Sequence, residues 1–144
     1  MKLEQIQELW KQDSTVDREK LDEESLNTST LHHKYYNIYT NEKLVLRKLE
    51  TQYKQLRLEK FEFYTQGPST ETEAKGWKLP NIGRILKSDA NTYVDADQDI
   101  IDLSLRIGLQ EEKIEFLNSI IRIIFNRNYQ IKNAIDFLRW QFGT

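Results

Sequence analysis

Hydrophobic positions recur along most of this chain at steps of three and four, the period of a helix with one buried face. Leu3, Ile6, Leu9 and Trp10 predict a short amphipathic helix, broken by Asp13-Ser14-Thr15-Val16-Asp17. From about Lys20 to Tyr64 there is neither Gly nor Pro. Within that stretch Leu49, Leu56 and Phe63 are spaced by seven, as are Tyr39, Leu46 and Tyr53, and the two sets interleave like a coiled-coil seam. The pattern predicts one long helix, kinked near Asn37 to Asn41, which needs a partner to bury its stripe.

The second half supplies that partner. Ser88-Asp89 is a plausible helix cap, and Ile100, Ile101, Leu103, Leu105, Ile107 and Leu109 follow. The alternation from 101 to 109 fits a strand as well as a helix. Ile114, Leu117, Ile120, Ile121, Ile124 and Phe125 return to helical spacing, and Asn126-Arg127-Asn128 is expected to punctuate it. A last helix places Ile131, Ala134, Ile135, Leu138 and Phe142 on one face and ends at Gly143. The expectation is an all-α fold: a long helical hairpin with short flanking helices.

The chain's two prolines, Pro68 and Pro80, bracket a different region, which holds three of its five glycines, Gly67, Gly76 and Gly83. Gly permits positive φ and Pro cannot continue a helix, so 66–83 reads as an irregular loop or loose hairpin. Residues 1–144 are expected to form a single domain. Its parts are 1–65 with the short and long helices, 66–87 as the loop, and 88–144 with the C-terminal helices and the oligomerisation surface. The run Ile120-Ile121-Arg122-Ile123-Ile124-Phe125 is apolar on nearly all sides. With Ile131, Ile135 and Leu138, it is expected to meet other subunits of a homo-oligomer.

Composition narrows the chemistry. The absence of cysteine excludes disulfides and thiolate metal sites. The charged opening Met1-Lys2-Leu3-Glu4-Gln5 lacks a signal core, and no apolar run is long enough to span a membrane, so a cytoplasmic protein is expected. No phosphate-cradling glycine loop occurs. His32 and His33 point about 100° apart on a helix and cannot share a metal through a common face. Asp95, Asp97 and Asp99 imitate the start of a calcium loop, but Ile100 and Arg106 stand where it needs Gly and Glu. They fit better at the start of a helix, where its dipole favours acids. Neither an enzyme active site nor a cofactor or metal site is expected.

Charge distribution says more than the net charge of -2. Residues 43–60 hold six basic groups against two acids, a local +4, and residues 75–87 hold four basic groups and no acid. Residues 89–115 hold eight acids against two basic groups, a local -6. Such charges usually form solvated helix faces. They also suit single-stranded nucleic acid, which is held by cations along its backbone and aromatics against its bases. Lys54, Arg57 and Lys60 are followed by Phe61, Phe63 and Tyr64, which serve equally as core. Lys75 and Lys78 flank Trp77, which serves equally to pin the loop.

Several collinear stretches resemble the UvsY family, the recombination mediators of large tailed phages. They are Met1-Lys2-Leu3-Glu4-Gln5-Ile6-Gln7-Glu8 with Lys11 and Asp13, then Leu31-His32-His33-Lys34-Tyr35-Tyr36-Asn37 and Glu62-Phe63-Tyr64. Leu86-Lys87-Ser88-Asp89 and the run from Arg127 to Asp136 are similar too. The resemblance implies a ring-like homo-oligomer, a hexamer or heptamer, that binds single-stranded DNA. It further implies contacts with a RecA-like recombinase and a single-strand binding protein, and recombinase loading in an infected cell. The family's basic-hydrophobic DNA-binding motif falls on Arg57-Leu58-Glu59-Lys60. Lys60 matches one basic position; Leu58 occupies the other, with Arg57 beside it. The rival expectation is a helical phage assembly or scaffolding adaptor without DNA binding.

Overall fold

The computed structural model describes residues 1–143, and every regular element among them is a helix. In order these are α1 (Leu3–Asp13), α2 (Leu21–Leu26), α3 (Thr28–Gln66), α4 (Thr70–Ala74), α5 (Lys87–Asp95) and α6 (Gln98–Phe142). The two long helices dominate, α3 with 39 residues and α6 with 45.

The break before α3 lies at Asn27, later than the predicted start near Lys20. Asn27 donates its N–H to the carbonyl of Glu23 while its own carbonyl accepts from Leu31. The expected kink at 37–41 is absent. Thr40 in that stretch donates its hydroxyl to the carbonyl of Tyr36 within the same helix. Gly67, at φ 93°, ends α3 by donating to the carbonyl of Phe63, a conformation that disfavours any side chain.

The expected loop is partly ordered into a turn of helix. Ser69 caps α4 by accepting from the N–H of Thr72. The far end of the loop is tied back to α3 by a 2.8 Å hydrogen bond from Ile85 N–H to the carbonyl of Tyr64. α5 starts at Lys87, so Ser88 and Asp89 lie in its first turn rather than at the cap. Asp97 caps α6 instead, its Oδ1 accepting from the N–H groups of Asp99 and Ile100.

Residues 100–109 are helical. Ile100 and Leu103 face inward while Ile101, Leu105 and Leu109 are exposed, so the apparent alternation is not a buried face. The predicted break at Asn126-Arg127-Asn128 is also absent. Arg127 is buried, donating to the carbonyls of Asp13 and Thr15 and to Glu24 Oε2, and the two asparagines lie outside.

The helices pack into two compact units, one built from Met1–Leu44 with the chain from Glu111 on, the other from Val45–Gln110. The first closes over Ile6, Tyr35, Leu117, Ile120 and Ile124. The second closes over Phe63, Tyr64, Ile85, Val94 and Ile100. The predicted seam runs through both cores, with Leu49 and Phe63 buried and Tyr39, Leu46, Tyr53 and Leu56 half-buried.

The expected oligomerisation surface divides differently. Ile120, Ile124 and Ile131 are buried within their own unit, and Ile121 packs partly against the same core. Ile135 and Leu138 are half-buried. Of the expected apolar run Phe125, at 75% exposure, and Ile123 are open, in company with Tyr129, Phe137 and Trp140. One stripe of this apolar run faces α1 and α3, so the subunit uses most of it internally. No helix among the described residues is long and apolar enough to cross a membrane.

Candidate nucleic-acid interface

The predicted cationic residues all lie in the Val45–Gln110 unit, yet the structure treats them in two ways. Lys60 lies inward on α3, in the turn before Phe63 and Tyr64, and is nearly sequestered from solvent. Its ammonium stands 2.8 Å from Asp99 Oδ2 and 3.2 Å from Asp97 Oδ2. It also lies 3.7 Å from the centroid of the Trp77 ring. A cation so enclosed by carboxylates and a π-face is matched within the protein and is not presented to solvent phosphate.

Asp97 binds this cluster together. Besides capping α6, it accepts a 2.6 Å hydrogen bond from the Tyr64 hydroxyl. Burial pushes its carboxyl pKa up, but the hydrogen bonds from Tyr64 and Lys60 and the Lys60 charge outweigh that and hold it below the ordinary 3.8. Burial and the Asp97 contact push the Tyr64 phenol up. Trp77 packs edge-on to Phe63 at 5.6 Å, so the indole pins the loop to α3.

Arg57 is half-buried and pairs with Asp95 at 2.5 Å. Their hydrogen bond raises its pKa further, against a smaller opposing effect of burial. Lys75 approaches Glu59 at 3.2 Å and lies 4.9 Å from the Trp77 centroid. These two pairs are solvent-accessible and exchangeable, unlike that of Lys60. Thus Asp95, Asp97 and Asp99, which imitate a calcium loop in sequence, each take a share of the basic segment of α3. Asp97 and Asp99 stand at the start of a helix as expected.

A different set of cations is free. Among the described residues Arg47, Lys48, Lys54, Lys78, Arg84 and Lys87 are exposed and enter no ion pair. Arg84 lies over Gly67, where an added Cβ would meet its Nε at 3.0 Å. The structure therefore brings Lys60, Trp77 and Lys75 together, leaves Lys54 and Lys78 open, and ties Arg57 to Asp95. Arg84 and Lys87 stand out in sequence only through the acid-free stretch 75–87. The acidic partners of Arg57 and Lys60 could have been sought in the compensating negative run after residue 89.

Among the described residues the architecture is helical throughout, and exposed cations without ion-pair partners give it a surface suited to anions. The chain belongs to the UvsY family, described as "Recombination, repair and ssDNA binding protein UvsY", whose profile matches residues 9–144. It is 25% identical over 144 residues to "Recombination protein uvsY" of Enterobacteria phage T4, covering 99% of each chain. Its fold is similar to crystal structures of the bacteriophage T4 recombination mediator protein UvsY. One matches at TM-score 0.79 and 23% identity, over 98% of this chain and 99% of the other. A second lattice form matches at TM-score 0.82 and 23% identity, over 98% of each.

Proposed function

We propose that this protein holds single-stranded DNA on the free cations of its Val45–Gln110 unit and loads a RecA-like recombinase onto DNA covered by single-strand binding protein. It acts without catalysis or cofactor, as a ring-like hexamer or heptamer in the cytoplasm of the infected host cell. The observation that carries the residue assignment is the contrast between exposed, unpaired Lys54, Lys78, Arg84 and Lys87 and enclosed Lys60. Arg57 and Lys75 join the track by exchanging a carboxylate for a phosphate. Lys60 and Trp77 act at one remove, by fixing the loop that bears Lys78.

A few cations per subunit bind weakly, but copies repeated around a ring bind at high effective concentration. Mediation then needs only differential affinity for the competing DNA-bound states. Exposed Phe125, Tyr129, Phe137 and Trp140 supply apolar area for subunit contacts.

The test is binding to labelled oligo-dT across a salt series, with oligomer mass measured in parallel. The logarithm of affinity should fall linearly with the logarithm of salt concentration. Lys54→Ala should reduce the slope by about 0.7 at unchanged oligomer mass. An oligomer that ignores oligo-dT even at low salt would leave a protein-only assembly adaptor as the better reading.

A further inference from the structure

α3 carries a second feature, within the Met1–Leu44 part of the chain, that the cation track does not use. His32, Tyr36, Tyr39 and Lys43 are separated by four, three and four residues, so they form one stripe. The His32 and Tyr36 rings are nearly parallel, at 13° with centroids 5.6 Å apart. Tyr36 and Tyr39 follow at 5.9 Å. Lys43 Nζ closes the row 5.3 Å from the Tyr39 centroid. Tyr39 packs partly against the Ile6 and Tyr35 core, whereas Tyr36 is 52% exposed. The row is therefore anchored below and open above.

Its charge environment is unusual for this chain. From Thr28 to Asn41 the helix has no acid, in a protein with 23 of them. The next one, Glu42, is buried and accepts from Lys113 at 3.3 Å. Lys34 is paired with Asp13, which leaves Lys43 as the free cation of the stripe. The aliphatic residues Leu31 and Ile38 turn toward the core, so the outer face is made of rings with polar edges rather than of leucines. An exposed ring and a flanking cation, on a stretch of α3 with no acid of its own from Thr28 to Asn41, are what a repeating base and phosphate require.

We propose that His32, Tyr36, Tyr39 and Lys43 form a base-stacking platform for single-stranded DNA, with Tyr36 as its exposed ring and Lys43 against the adjoining phosphate. The inference rests on the single-stranded DNA reading above. Stacking is tolerant of sequence, so the platform would add affinity without base preference and with little salt dependence.

The experiment compares wild type, Tyr36→Ala, Tyr36→Phe and Lys43→Ala in oligo-dT binding over a salt series, with oligomer mass recorded for each. Tyr36→Ala should weaken binding about fivefold or more with an unchanged salt slope, and Tyr36→Phe should retain affinity. Lys43→Ala should make the slope shallower by about 0.7. Wild type that binds as tightly as Tyr36→Ala would overturn the platform while leaving the family reading intact. So would loss of oligomer mass in Tyr36→Ala, which would make the stripe a contact between copies. Wild type that fails to bind oligo-dT would bring down both readings before any variant was compared.

Discussion

Lys60 and Trp77 meet as a cation over an indole, 3.7 Å from ammonium to ring centroid. One comes from the long helix and the other from the loop that follows it, so the contact closes that loop onto α3. Asp97 and Asp99 complete the enclosure from the start of α6. The most motif-like lysine of the chain thus serves the fold first.

Lys60→Ala should consequently behave as a core mutation. It removes the cation facing Asp97, whose side chain is nearly buried. Breaking a buried pair costs up to about 3–5 kcal/mol, and less here because Asp97 keeps the Tyr64 hydroxyl and two backbone N–H groups. Urea unfolding should show a clearly lower midpoint. A variant as stable as wild type would mean that the pair contributes nothing net. For the same reason, lost DNA binding in an Arg57→Ala, Lys60→Ala double variant must be read beside its unfolding curve.

Asp97 also makes stability depend on pH. Its folded pKa lies below 3.8, so its contribution is present above that value and is lost as pH falls through the folded one. Asp13 is held low in the same sense, because hydrogen bonds from Lys34 and Tyr35 outweigh the opposing effect of burial. The gap in unfolding free energy between wild type and Asp97→Asn should be largest near neutrality and shrink below about pH 4. A gap that stays constant down to pH 3 would refute this assignment.

Asp95 is exposed and its side chain pairs with Arg57. Asp95→Asn should therefore free a cation without harming the fold. Oligo-dT affinity should rise and the salt slope steepen by about 0.7. A rise with no change of slope would point to general repulsion instead of a new phosphate contact.

Phe125 and Ile121 separate assembly from folding. Phe125→Asp alters a ring that is 75% exposed and should lower oligomer mass while the helical circular dichroism stays unchanged. Ile121→Asp charges a side chain packed against the core of its own unit and should lower the unfolding midpoint as well. Full oligomer mass in Phe125→Asp would exclude this face from the assembly.

The helices were legible wherever burial followed a strict period, as with Leu49 and Phe63, and where Gly67 and Gly143 close them. Local propensity misled at Asn126-Arg127-Asn128. There the decisive fact is that backbone carbonyls of Asp13 and Thr15 accept from the buried Arg127 guanidinium, a pairing no window around residue 127 reveals. The break at Asn27 was hidden in a polar stretch without Gly or Pro. The cations of the candidate site were legible as a charge run, but their availability was not. Whether Lys54 is free and Lys60 enclosed depends on where Asp97 and Asp99 arrive, and charge counting along the chain places neither.

The division into two units implies an order of events during folding. Val45–Gln110 is one unbroken stretch of chain, whereas the other unit draws on both ends. Arg127 must reach the carbonyls of Asp13 and Thr15, so that unit depends on contacts of long sequence separation, which form late because loop closure precedes their reward. Pulse-labelled amide exchange should protect Tyr64 and Val94 before Ile6 and Leu117, and the reverse order would contradict this sequence. During synthesis, the inner stretch is complete at Gln110, before the chain from Glu111 on is added. The amino-terminal helix, although synthesised first, can meet Tyr35 of α3 early but must wait for the last helix to complete its core.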